Sequence, residues 1–195
     1  MSKRIILASA SPRRRELLAQ IGIPYEVAVS YKEEIYYSSS PEEIVKELSL
    51  RKAENVASEL DIRDGIVIGA DTVVVLDGRI LGKPADPEDA CRMIRKLQGR
   101  SHQVYTGIAL LDCGREGELL AQTHAVCTTV YVHSMTEKEI QEYVASGEPM
   151  DKAGGYGIQG RFAAYIDKIE GDYYNVVGLP LSLLYQCLKE KGICI

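Results

Sequence analysis

With 195 residues, of which 46% are hydrophobic and 26% charged, the chain has the proportions of a globular protein, and we interpret residues 1–195 as one domain without a separable linker. The formal net charge of −5 argues against wrapping bulk nucleic acid, and no apolar run approaches the roughly 20 residues that would span a bilayer. Since there is no signal-peptide pattern and no C-x-x-C pair among the five cysteines, the sequence predicts a soluble, cytoplasmic protein without structural zinc.

The amino-terminal segment predicts a strand that leads into a helix. Residues 5–8 form an apolar run, Ser11 is a favoured N-cap residue, Pro12 is favoured at the first helical position, and Gly22 ends the helical pattern. The free N–H groups of such a helix start would lie beside the end of the strand.

Three consecutive arginines, Arg13, Arg14 and Arg15, occupy the first turn of this helix, where the helix dipole is already positive. Together with the hydroxyl groups of Ser9 and Ser11, they form a reasonable cradle for a phosphate group. The alternative is that the arginines are solvated or meet acidic residues elsewhere. The sequence contains neither a Walker motif nor a G-x-G-x-x-G fingerprint here.

A half-buried strand at about residues 25–29 precedes a long helix in the next segment. Ser40 and Glu43 have the spacing of a capping box, and the apolar face of the helix runs from residue 44 to residue 60. Lys52 falls inside this apolar face. Its ammonium group either reaches the edge of the face or meets a buried anion.

Residues 64–84 are the most informative stretch of the chain. In order, it contains an apolar run at 66–68, Asp71 and Thr72, a second apolar run at 73–76, the dipeptide Asp77-Gly78, a return strand at 79–81, and Lys83. The Asp-Gly dipeptide favours a two-residue type I′ hairpin turn, so the hairpin brings acid and base towards one place. The alternative is that Asp71 only caps a turn after a strand.

The following segment predicts a helix from Asp86 to about Gly99, strands at about 102–111 and 119–132, and a second capped helix at Thr136. The three histidines lack metal-ligand spacing, and we expect them on strand surfaces.

Residues 148–160 combine four glycines with charged and amide side chains. The glycines allow the backbone to approach a ligand closely, and Gln159 offers an amide that could read the edge of a nucleobase. A purely structural glycine loop is the alternative. A strand at about 162–169 and a closing helix that begins at Pro180 complete the prediction.

Five segments together resemble the signature blocks of one known family. They are S-A-S-P-R-R-R-E-L-L at 9–18, G-A-D-T-V-V-V at 69–75, L-G-K-P at 81–84, M-D-K-A-G-G-Y-G-I-Q-G at 150–160 and G-D-Y-Y-N-V-V-G-L-P at 171–180. Their order and coverage are similar to the Maf family of nucleoside triphosphate pyrophosphatases, which is linked to septum formation. The resemblance implies an α/β fold related to the inosine-triphosphate pyrophosphatases, with a long mixed sheet flanked by helices and two lobes around a central cleft.

The resemblance also implies a reaction and its requirements. A nucleoside triphosphate would be cleaved between the α and β phosphates to a monophosphate and pyrophosphate, with Mg²⁺ or Mn²⁺ as cofactor and a homodimer as the assembly. The resemblance implies that Asp71 is the catalytic base, that Arg13, Thr72 and Gln159 act in substrate choice, and that Glu34, Lys52 and Lys83 are further cleft positions. We expect the phosphates to be bound by Ser9, Ser11, Arg13, Lys52 and Lys83, and the metal to be held by Glu34 and Asp71. Because a metal-bound carboxylate is a poor base, Asp71 would instead position a water that the metal activates if it is a ligand.

Two branches of the family differ in substrate. Thr72 after the aspartate and the intact G-I-Q-G that contains Gln159 resemble the branch that acts on dTTP and UTP, whereas Tyr105-Thr106-Gly107 is closer to the branch that prefers 7-methyl-GTP. A regulator of septum formation that binds nucleotides without cleaving them is a further alternative. A nucleic-acid-binding module is disfavoured, because the chain is acidic and lacks an aromatic-basic repeat.

Overall fold

The structure is a computed structural model, and it describes residues 3–33 and 35–194. Strands and helices alternate along most of this part of the chain, as expected for an α/β protein. The strands are β1 (Arg4–Ala8), β2 (Glu26–Ala28), β3 (Gly65–Leu76), β4 (Arg79–Leu81), β5 (Ser101–Cys113), β6 (Leu119–Val132) and β7 (Ile166–Glu170). The α-helices are α1 (Pro12–Gln20), α2 (Pro41–Glu59), α3 (Pro87–Leu97), α4 (Glu137–Ala145), α5 (Tyr173–Val177) and α6 (Leu181–Glu190).

The strands form one mixed sheet in the order β2-β1-β3-β5-β6-β7, and β4 pairs with β3. Strand β1 is parallel to both of its neighbours, whereas β4 is antiparallel to β3 and β7 is antiparallel to β6. The predicted long mixed sheet with flanking helices is therefore confirmed. None of the helices in the described residues is both long and apolar enough to cross a membrane.

The chain divides into two compact units. The first comprises the described residues of Met1–Asp71, Thr106–Val126 and Gly178–Ile195, and the second comprises Thr72–Tyr105 and Cys127–Val177. Each unit has its own apolar core. The first is built from residues such as Ile6, Val56, Val67 and Leu111, and the second from residues such as Ile94, Leu97, Val130 and Phe162. The central cleft between two lobes stays a prediction.

Strand β3 explains why a carboxylate occurs inside an apolar sequence. The two apolar runs predicted here are one continuous strand, and Asp71 lies in its middle with only 8% of its surface exposed. The alternative in which Asp71 caps a turn is therefore wrong. Beyond it, Asp77 and Gly78 have φ values of +50° and +74°, which confirms the type I′ turn that joins β3 to β4.

Several local predictions require correction. Ser40 caps α2 by accepting a hydrogen bond from the Glu43 N–H, but the Glu43 carboxylate pairs with Lys46 instead of completing a capping box. The expected strand at 162–169 begins only at Ile166, because residues 161–165 form a 3₁₀ helix that buries Phe162. The capping box at Thr136 and Glu139 is confirmed.

His102 was expected on a strand surface, and this expectation is wrong. The residue is 1% exposed, and its Nε2 lies 2.6 Å from the Tyr156 hydroxyl. Burial lowers the pKa of His102 to about 4 and raises the pKa of Tyr156. Since burial disfavours the imidazolium ion, His102 is neutral in the folded protein at pH 7.

This burial predicts a pH-dependent stability. The pKa of His102 is lower in the folded protein than the usual value of about 6.5, so the unfolded chain binds the proton first as the pH falls. The buried neutral imidazole makes its full contribution to the free energy of unfolding above about pH 6.5. This contribution is lost progressively as the pH falls to about 4, and the total loss is about 3 kcal/mol. We expect urea unfolding to show a smaller decrease between pH 7 and pH 4.5 in His102→Gln than in wild type. Equal decreases in wild type and His102→Gln would contradict the prediction.

Candidate active site

Helix α2 lies directly on strand β3 at Gly69. A Cβ atom added there would be 1.9 Å from the carbonyl oxygen of Ser49 and 3.2 Å from the backbone nitrogen of Ala53, so only glycine allows this approach. Gly107 on β5 makes a second close contact of this kind, because its Cβ would be 2.2 Å from the Val45 carbonyl oxygen. The two glycines thus set the distance between α2 and the sheet.

This close packing brings a cation to the buried carboxylate. Gly69 and Asp71 point to the same face of β3, because side chains alternate along a strand. Lys52 projects from the part of α2 that lies over this face, and its Nζ is 2.5 Å from Asp71 Oδ1. The two side chains are 22% and 11% exposed. Of the two alternatives for Lys52, a position at the edge of the apolar face or a contact with a buried anion, the structure shows the second, and the anion is Asp71.

The Lys52–Asp71 pair should be energetically coupled. Replacing Lys52 by Met keeps the apolar stem but leaves the carboxylate buried without its cation, and we expect a loss of about 2 kcal/mol in the free energy of unfolding. Adding Asp71→Asn to that variant should recover part of the loss, since the unpaired charge is then gone. Urea unfolding of the two single variants and the double variant measures the coupling. A double variant whose loss equals the sum of the single losses would contradict it.

Arg14 connects three segments next to this pair. Its Nε donates to the Gly178 carbonyl oxygen at 2.8 Å, and Nη1 donates to the Ala70 carbonyl oxygen at 2.9 Å and to Ser9 Oγ at 3.2 Å. The sequence pattern does not distinguish Arg14 from the other two arginines. Periodicity could not do so, because its partners lie 56 and 164 residues away along the chain.

The predicted phosphate-binding residues of the amino-terminal segment lie in the same unit as Asp71. Ser9 is buried and accepts a hydrogen bond from the Ser11 N–H at 3.2 Å. Ser11 occupies the N-cap position, but its hydroxyl makes no capping bond to the described residues of α1. Arg13 is half-buried, and Arg15 donates to the Ala10 carbonyl oxygen at 3.1 Å. The arginine partners named above for Arg14 and Arg15 are thus oxygens of main-chain carbonyls and a hydroxyl, not acidic side chains.

Three other predicted site residues belong to the second unit. Thr72 follows Asp71 on β3 and is half-buried, while Lys83 and Gln159 are exposed. The segment that carries Lys83 is joined to the glycine loop, because the Gly154 N–H donates to the Gly82 carbonyl oxygen at 2.9 Å. Gly154 has a φ of +69° and packs against the side chain of Val74. A side chain at position 154 would be strained and would also meet Val74.

The charged residues of the glycine loop support the loop itself. Lys152 Nζ donates to the Glu148 carbonyl oxygen and to the Asp151 carboxylate, each at 2.6 Å. The Glu148 carboxylate in turn accepts a hydrogen bond from the Arg161 N–H at 2.9 Å. These contacts fix the loop that presents Gln159, which is consistent with both a structural and a ligand-binding role.

The metal-binding prediction concerns Glu34 and Asp71. Glu34 lies outside the described residues, and among residues 3–33 and 35–194 no three His, Cys, Asp or Glu side chains are grouped so as to hold a metal ion. Mg²⁺ usually requires only one or two protein carboxylates, since substrate phosphates and water complete its octahedral shell. The buried carboxylate of Asp71 fits this mode of binding.

The sequence comparisons with known proteins agree on one family. The family model described as "Maf-like protein" matches residues 4–191. A relative from Symbiobacterium thermophilum, named dTTP/UTP pyrophosphatase, is 53% identical over 97% of this chain and 95% of its own length. A relative with the same name from Lachnoclostridium phytofermentans is 48% identical over 97% of this chain and 95% of its own. Among solved structures, the Ham1 protein of Staphylococcus aureus superposes with a TM-score of 0.50 and 17% identity, covering 97% of this chain and all of that one.

Proposed function

The chain belongs to the Maf family, and on that basis we propose that it is a nucleoside triphosphate pyrophosphatase that hydrolyses dTTP and UTP to the nucleoside monophosphate and pyrophosphate. The observation that carries the proposal is the identity of about half of all positions, over nearly the whole chain, with relatives that bear the name of this activity. The family resemblance predicted from the five sequence blocks is confirmed by the family match.

We assign the attacking water to Asp71. The Lys52 contact uses Oδ1 of this carboxylate, so Oδ2 is the oxygen that would accept a hydrogen bond from the water. As the water oxygen bonds to phosphorus, its proton passes to Asp71, and the bond between the α phosphorus and the bridging oxygen breaks. Pyrophosphate leaves with the electron pair of that bond.

The cationic residues explain how the triphosphate would be held. The substrate carries close to four negative charges, and Arg13, Lys83 and the hydroxyl groups of Ser9 and Ser11 are proposed as its partners. Lys52 has three ammonium donors, so a contact with Asp71 is compatible with a second contact to a phosphate oxygen. Arg13 and Lys52 are half-buried, and their charges therefore act more strongly than they would in water.

A divalent cation is part of the proposal. Glu34 and Asp71 are proposed to hold Mg²⁺ or Mn²⁺. This role of Asp71 is the alternative to that of proton acceptor: bound to the ion, its carboxylate would position a water that the ion activates. The bound ion would neutralise charge on the transferred phosphoryl group. In both roles, Asp71 holds the attacking water. Because its carboxylate has a fixed position on β3, it determines the direction from which the water approaches the α phosphorus.

The function is tested by release of pyrophosphate from a panel of canonical and modified triphosphates, detected as phosphate after cleavage by inorganic pyrophosphatase. We expect dTTP and UTP to be turned over best with Mg²⁺ or Mn²⁺ present, and EDTA to abolish the release. Preferred turnover of 7-methyl-GTP would assign the other branch, for which Tyr105-Thr106-Gly107 is the supporting observation. Tight nucleotide binding without release would support the non-catalytic regulator and overturn the enzyme.

Gln159 is expected to set the base preference. Its amide can donate and accept at once, which suits the O4 and N3–H edge that uracil and thymine share. Removing it with Gln159→Ala should lower the ratio of kcat/KM for dTTP over GTP about tenfold, a typical effect of one lost polar contact. Gln141→Ala, which removes an exposed amide on α4, is the matched control and should leave the ratio unchanged. A change of no more than about twofold in Gln159→Ala would contradict the assignment.

The family resemblance also predicts a homodimer without nucleic acid or membrane partners. Sedimentation equilibrium at micromolar protein would show twice the chain mass of 21.5 kDa if this proposal is right. A single species at the chain mass under the conditions of the activity assay would show that the dimer is not required.

A further inference from the structure

We propose that Arg14 is a positioning residue for the pyrophosphatase reaction: it holds the peptide before Asp71 and the hydroxyl of Ser9 in the arrangement that the reaction requires. The inference rests on the proposed function. Arg14 itself is not assigned a contact with the substrate. It acts through the two residues that it holds.

Arg14 holds the peptide group that precedes Asp71. The oxygen that Arg14 Nη1 contacts at 2.9 Å is the Ala70 carbonyl, which belongs to the planar unit joining Ala70 to Asp71. Fixing this oxygen fixes the orientation of that peptide plane. Arg14 thereby fixes the main chain from which the Asp71 side chain projects. Lys52 fixes the carboxylate at the other end of that side chain.

Arg14 also orients the Ser9 hydroxyl. A hydroxyl oxygen has two lone pairs and one proton to donate. Ser9 Oγ accepts from Arg14 Nη1 and from the Ser11 N–H, each at 3.2 Å, so both lone pairs are in use. The proton of Ser9 then points away from these donors, and an anionic phosphate oxygen is a suitable acceptor for it. Arg14 therefore orients a donor that the sequence analysis assigned to phosphate binding.

The shape of the guanidinium group makes these simultaneous contacts possible. Its planar fork places Nε and Nη1 at fixed angles, and here the two nitrogens reach oxygens on three separate segments of the first unit. The third of these segments begins at Gly178, which lies in the block G-D-Y-Y-N-V-V-G-L-P. Lysine carries the same charge but a single ammonium nitrogen, so it cannot reproduce this set of contacts.

The test compares Arg14→Lys and Arg14→Ala with wild type in steady-state hydrolysis of dTTP. We expect kcat to fall about 10²-fold in both variants, because a small displacement of reacting groups has an effect of that size. KM should rise much less, through the less well oriented hydroxyl of Ser9. The control is Arg4→Ala, which removes an exposed arginine paired with Glu26 in the same unit and should keep the wild-type kcat. Guanidinium chloride at low, non-denaturing concentration should restore part of the kcat of Arg14→Ala and none of that of Asp71→Asn.

The outcomes separate this inference from the function itself. A near-wild-type kcat in Arg14→Lys would overturn the positioning role. A large rise in KM at unchanged kcat would also overturn it, because Arg14 would then be a direct ligand of the phosphates. Thermal unfolding of each variant shows whether it is folded, and Arg14→Lys carries the test if Arg14→Ala does not fold. Absence of pyrophosphate release from the wild-type protein would overturn the proposed function together with this inference.

Discussion

Asp71→Asn is expected to lower kcat for dTTP about 10³-fold, the size of effect that a positioned proton acceptor contributes. Asparagine keeps the shape of the side chain but lacks the negative charge that orients the water, accepts its proton and binds a cation. The folded structure should persist, because Lys52 can still donate to the amide oxygen. Measurement of kcat and KM with Mg²⁺ present gives the result directly.

The matched control for this variant is Asp77→Asn. Asp77 lies in the turn that follows the same strand and pairs with Arg100, and Asn-Gly favours the same type I′ turn as Asp-Gly. It should therefore retain the wild-type kcat. Turnover by Asp71→Asn within about tenfold of wild type would remove Asp71 from the catalytic role, because even the smallest typical contribution of a general base is larger.

Gly69→Ala is expected to lower the free energy of unfolding by about 3 kcal/mol or more, since a methyl group there would overlap the main chain of α2. The Ser49 carbonyl oxygen, at 1.9 Å from the added atom, cannot rotate away as a flexible side chain could. The helix must shift as a whole. Because α2 carries Lys52, the same shift should separate Lys52 from Asp71 and reduce kcat as well.

Gly82→Ala provides the comparison for this second variant. A Cβ at Gly82 meets no atom within 4 Å, and the residue does not have a positive φ, so we expect a change below about 0.5 kcal/mol. Urea unfolding of both variants measures the difference. A Gly69→Ala protein as stable as Gly82→Ala would show that α2 and β3 are not packed as closely as the structure has them.

The sequence was most informative where local chemistry decides the structure. The Asp-Gly turn, the proline-initiated helices and the capping box at Thr136 depend on residues a few positions apart, and the structure confirms them. Lys52 was recognised as anomalous for a similar reason, because a charge inside an apolar helix face has to be compensated. Which anion compensates it could not be predicted, since Asp71 lies 19 residues away on another element.

The errors arose where long-range packing overrides the local pattern. His102 looks like a polar surface position of a strand, but Tyr156 from the glycine loop covers it and occupies its Nε2. Phe162 begins an apolar run that is compatible with a strand, and the chain instead forms a 3₁₀ helix that buries the ring between Tyr143 and Tyr156. Arg14 could not be distinguished from its two neighbours without the positions of Ala70 and Gly178.

The most direct test of the central claim is a ³¹P NMR time course of dTTP with the wild-type protein and Mg²⁺. With the reaction run in H₂¹⁸O, attack of a water held at Asp71 on the α phosphorus gives dTMP and pyrophosphate in equal amounts, no dTDP, and the ¹⁸O in dTMP. The ¹⁸O in pyrophosphate would place the attack on the β phosphorus and contradict the account. Release of dTDP and orthophosphate, or dTTP that stays intact through many enzyme equivalents, would contradict it.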